Sequence, residues 1–128
     1  MLYYAPFPTM PNRLLFVYNA DGGLLPSLKD MFHKLLSPAT YPCSLCGLTY
    51  GATQMRPEWQ QFIKALPVRV AFLHRDEFER DFPQYCGERL PAAFTVTGTG
   101  ALQPFIRAEE MDVATLNELM ELVRERLR

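Results

Sequence analysis

Residues 14–36 constrain the fold of this chain more than any other stretch. Leu14-Leu15-Phe16-Val17-Tyr18-Asn19-Ala20 runs without a charge into Asp21-Gly22-Gly23, and Leu24, Leu28, Phe32, Leu35 and Leu36 follow at helical spacing. The apolar run, rich in β-branched and aromatic residues, predicts a strand buried on both faces. The glycines turn the chain into a predicted helix. Strand, turn and helix N-terminus leave backbone N–H groups pointing outward. Asp21, Gly22 and Gly23 are therefore a candidate ligand site, although a capping Asp21 with turn glycines accounts for the same residues.

The rest of the chain alternates in the same way. A long connection, 37–56, carries Pro38, Pro42, Gly47 and Gly51, with room for a short helical piece at 43–50. Pro57 is suited to open a helix to Leu66, turning Trp59, Phe62, Ile63 and Leu66 inward. A second strand is expected over 68–74, then a short acidic helix capped by Asp76 and ended by Pro83. Strands over 90–97 and 101–107 flank Gly98-Thr99-Gly100, and Asp112 is expected to cap a last helix with Leu116, Leu119, Met120, Val123 and Leu127 on one face. The expected architecture is α/β: a central mixed four-stranded sheet, the first two strands parallel and the last two a hairpin, with helices on both faces.

At 128 residues this is one domain, 14–128, preceded by a proline-rich arm at 1–13. Pro6, Pro8 and Pro11 forbid a regular helix in the arm, which also lacks the features of a signal peptide. A net charge of -1 with no basic patch argues against nucleic acid as partner. No apolar run approaches a membrane span. Three cysteines are too few for a secreted disulfide framework, so the cytoplasm is the expected home.

The order of elements, with Leu90-Pro91 leading into the hairpin, resembles the thioredoxin-like superfamily from Leu14 onward. The resemblance implies that Pro91 follows a cis peptide and faces the N-terminus of the first helix, by Gly22-Gly23. The chain is also similar to a small bacterial family through Phe16-Val17-Tyr18-Asn19-Ala20-Asp21, Leu73-His74-Arg75-Asp76-Glu77-Phe78 and the run Cys43-Ser44-Leu45-Cys46-Gly47-Leu48-Thr49-Tyr50-Gly51. That likeness implies a fold and no mechanism. Thioredoxins carry Cys-x-x-Cys directly after the first strand; here Asp21-Gly22-Gly23-Leu24 stands there, which excludes the usual reaction at the usual site.

Cys43 and Cys46 are the sharpest chemical feature. Two thiolates at this spacing are half a zinc site, with His33 as first choice of third ligand and His74 as second. As a dithiol switch the pair needs a helix N-terminus at Cys43, which Pro42 permits. Two small apolar side chains filling the core are the third reading. Metal leads because a histidine lies on either side of the pair. Cys86, in a separate loop, is a bystander. The Pro-Cys-x-x-Cys half of a zinc deaminase signature lacks its His-x-Glu partner, since His33-Lys34-Leu35 offers no general acid. Tyr50, His74 and Pro91 complete a candidate ligand pocket with Asp21, Gly22 and Gly23, at the carboxyl ends of the strands. Two classes of function follow: a thioredoxin-like redox protein acting through Cys43 and Cys46, or a binding module in which they hold zinc or are structural.

Overall fold

The computed structural model describes residues 13–20, 43–50 and 55–127. Calls for the arm at 1–13 (apart from Arg13), for Asp21, Gly22 and Gly23, and for His33 lie outside these residues. Strand β1 spans Arg13–Val17 and β2 spans Arg69–Leu73. Strands β3, Ala92–Val96, and β4, Leu102–Ile106, complete a four-stranded sheet in the order β2-β1-β3-β4. β1 runs parallel to β2 and antiparallel to β3, and β3 is antiparallel to β4. The mixed α/β sheet is the architecture expected from the sequence.

Among the described residues the helices are α1, Ser44–Thr49; α2, Pro57–Ala65; α3, Arg75–Asp81; α4, Ala108–Val113; and α5, Leu116–Arg126. Alternation along β1 sends its side chains to two cores, as an interior strand requires. Leu14, Phe16 and Tyr18 pack with Leu45 of α1, Trp59 of α2, Met111 of α4 and Leu119 and Val123 of α5. Leu15 and Val17 pack on the other face with Phe78 of α3, Phe94 and Val96. Phe16 meets Trp59 edge-on at 5.4 Å between ring centroids and stacks on Phe72 at 5.5 Å. Helices thus cover both faces.

Several local expectations are corrected. The strands are shorter than the apolar runs that predicted them, because pairing stops where the chain leaves the sheet. The cap of α3 is His74 rather than Asp76, with Glu77 Oε1 accepting the His74 backbone N–H at 2.8 Å. Asp112 lies inside α4, and the final helix starts at Thr115, whose Oγ1 accepts the Glu118 N–H at 3.1 Å. The predicted single last helix is therefore two, broken between Val113 and Leu116.

Candidate functional site at the carboxyl end of the first strands

The parallel pair β1 and β2 ends at one pole of the sheet, where β2 passes through His74 directly into α3 and where open α/β folds bind ligands. The Tyr18 N–H still donates to the Leu73 carbonyl at 2.9 Å, and the Arg75 N–H donates to the Ala20 carbonyl at 2.9 Å. Arg75 Nη1 reaches Asn19 Oδ1 at 3.3 Å. These bonds hold residues 18–20 against the start of α3.

Cys43 returns to this edge. Its sulfur accepts the backbone N–H of Asn19 at 3.3 Å, across 24 positions of sequence, and that of Cys46 at 3.2 Å. Cys43 is the N-cap of α1 in extended conformation, φ -114° and ψ 99°, so its side chain reaches over the first turn. The short helical piece at 43–50 and the helix start at Cys43 are thus present. Cys46 sits one turn on and is partly exposed, whereas Cys43 is buried. Two N–H dipoles aimed at one sulfur favour negative charge on it.

Tyr18 links the cysteines to His74 and Tyr50. Its ring centroid lies 5.8 Å from that of Tyr50 and 5.4 Å from that of His74. The Tyr18 hydroxyl is buried and makes no hydrogen bond of normal geometry among the described residues. Burial, then the neighbouring Tyr50 hydroxyl, then Cys46 and Cys43 raise its pKa far above that of a free phenol, so it stays protonated. His74 Nδ1 lies 3.0 Å from Glu77 Oε1. The His74 backbone N–H first, then its side chain, hold the Glu77 carboxyl below its ordinary value.

Leu90-Pro91 is a cis peptide, as the resemblance implied. Val17 pairs with Ala92, so one further step of that antiparallel register sets Pro91 across from Tyr18. Pro91 is buried. Of the expected pocket residues, Tyr50 and His74 pack against Tyr18. Cys86 is exposed, in the loop after a 3₁₀ turn at Pro83–Tyr85.

His74 is the second-choice third ligand, and it lies at the same end of the sheet as Cys43. Cys43 accepts a hydrogen bond from Asn19 and His74 lies against Tyr18, so Cys43 and His74 share the carboxyl end of β1. Among the described residues, no group of three His, Cys, Asp or Glu side chains is arranged to hold a metal. Tyr18, Asn19 and Arg75 belong to the site without having been singled out by the sequence. Their one signal was position, at or just past the ends of β1 and β2. Comparison with protein-family models, with curated proteins and with solved structures gives no match for this chain.

Proposed function

We propose that this protein is a thioredoxin-like dithiol–disulfide protein, in which Cys43 and Cys46 exchange electrons with a disulfide or dithiol of a partner. The observation that supports this most is the pair of backbone N–H groups, from Asn19 and Cys46, donated to Cys43 at the start of α1. Two donated N–H groups stabilise charge on a thiolate when it is released, and exchange between the pair and a partner passes through such a thiolate. On the sequence alone a pair that binds zinc or is structural comes first, with the redox pair as alternative. The order is reversed here because the pair shares a helical turn at a strand end, while zinc needs two further ligands. A reducing compartment such as the cytoplasm would keep the pair as a dithiol between reactions.

The test is equilibration of the native protein in glutathione buffers, read by intact mass after acid trapping. The expected outcome is reversible loss of two hydrogens, mapped to Cys43 and Cys46, with a midpoint between about -270 and -180 mV. Cys86→Ser should leave the midpoint unchanged. A pair that stays reduced throughout this range, or native protein carrying one zinc per chain, would overturn the reading.

A further inference from the structure

We infer that the second cysteine of the pair, Cys46, is the sulfur that attacks a partner disulfide, and that Cys43 is the one that resolves it. This rests on the dithiol reading above and assigns the order of its two steps. Cys43 is 1% exposed, and its sulfur is enclosed between the Asn19 and Cys46 N–H groups. Cys46 is partly exposed and packs against the apolar cluster to which Cys43 belongs. Thiol–disulfide exchange needs the attacking sulfur to approach along the S–S axis of its target, so access decides which sulfur goes first.

The steps balance. The Cys46 thiolate attacks one sulfur of the partner disulfide, that S–S bond breaks, and the other partner sulfur leaves as a thiolate. Cys43 then attacks the Cys46 sulfur from within the same helical turn. The mixed disulfide breaks, the second partner sulfur leaves as a thiolate, and a Cys43–Cys46 disulfide forms. Two electrons pass to the partner, and the two protons of the original dithiol end on the two partner thiols. In the reverse direction a partner thiolate attacks Cys46 and Cys43 departs. The two N–H donors then stabilise the leaving sulfur, which is the sulfur whose stability speeds departure. Burial and hydrogen bonding of Cys43 therefore serve both directions with the same polarity.

The experiment uses the full chain with Cys86→Ser and glutathione disulfide as probe. Cys43→Ser should accumulate one glutathione, mapped to Cys46, while Cys46→Ser should react about ten-fold more slowly or not at all. A second measurement needs no change at either cysteine: in the reduced chain carrying only Cys86→Ser, iodoacetamide should alkylate Cys46 at least about ten-fold faster than Cys43. Faster adduct formation by Cys46→Ser, or faster alkylation of Cys43, overturns the order and leaves the dithiol reading standing. If the protein with both cysteines forms no Cys43–Cys46 disulfide under glutathione disulfide, the dithiol reading falls and the order falls with it.

Discussion

Tyr18 carries a polar cost at the residue scale. Its ring is stacked on Phe72 at 6.0 Å and flanked by Tyr50 and His74, so the aromatic body is well placed. The hydroxyl gains less, being buried beside the Tyr50 hydroxyl without a hydrogen bond of normal geometry among the described residues. A buried donor without an acceptor costs about 1–3 kcal/mol, and removing it recovers part of that. Tyr18→Phe is therefore expected to leave stability unchanged or raise it by about 1 kcal/mol, read from urea denaturation. A loss of more than about 1 kcal/mol would mean that the hydroxyl has a partner outside the described residues. The sequence marks Tyr18 only as the end of an apolar run. That the next residue turns its N–H to Cys43 depends on where a chain returns after 24 positions, and no local pattern encodes that.

At the scale of elements, helix starts were legible in kind and misread in place. Three glutamates at the third helical position accept the backbone N–H of the cap: Glu77 from His74 at 2.8 Å, Glu110 from Arg107 at 2.9 Å, and Glu118 from Thr115 at 2.9 Å. Asp76 and Asp112 drew the expectation because aspartate is a strong cap, yet each lies within a helix. Thr115-Leu116-Asn117-Glu118 is the fuller signal, since threonine and glutamate satisfy each other's orphan N–H groups. Val113, 83% exposed, gives α4 no apolar reason to continue in line with α5. Thr115→Ala should accordingly cost about 1 kcal/mol. Asp112→Ala should cost less, about 0.5 kcal/mol or below, because it removes only an exposed pair with Arg89. Chemical denaturation of both variants checks this, and a larger loss from Asp112→Ala would return the cap to the position first expected.

At the scale of the whole molecule, the sheet was readable because each strand carries its own two-residue alternation and each helix its own apolar face. The way the long connection closes on β1 was not, since it rests on packing between Leu45, Trp59 and the strand rather than on periodicity. One ion pair also ties separate elements together: Arg126 of α5 donates to Glu110 of α4 at 2.9 Å and to the Phe105 carbonyl of β4 at 2.8 Å. The Arg126 guanidinium first, then the Arg107 backbone N–H, hold the Glu110 carboxyl down to about 2 from its usual 4.5. A carboxyl lower in the folded than in the unfolded chain stabilises the fold fully above the unfolded value, and that contribution fades as pH falls toward the folded one. At face value the depression is worth about 3 kcal/mol at neutral pH. The side chains are 31% and 37% exposed, so solvent screening reduces this to about 1–2 kcal/mol. Glu110→Gln keeps the shape and an acceptor for Arg107 but removes the charge. Urea denaturation should find the wild type more stable than Glu110→Gln by about 1–2 kcal/mol at pH 7, with the gap closing between about pH 4.5 and pH 2. A gap that stays constant across that window would assign the stabilisation to packing or neutral hydrogen bonds, and the charge of Glu110 would then have no part in joining α4, α5 and β4.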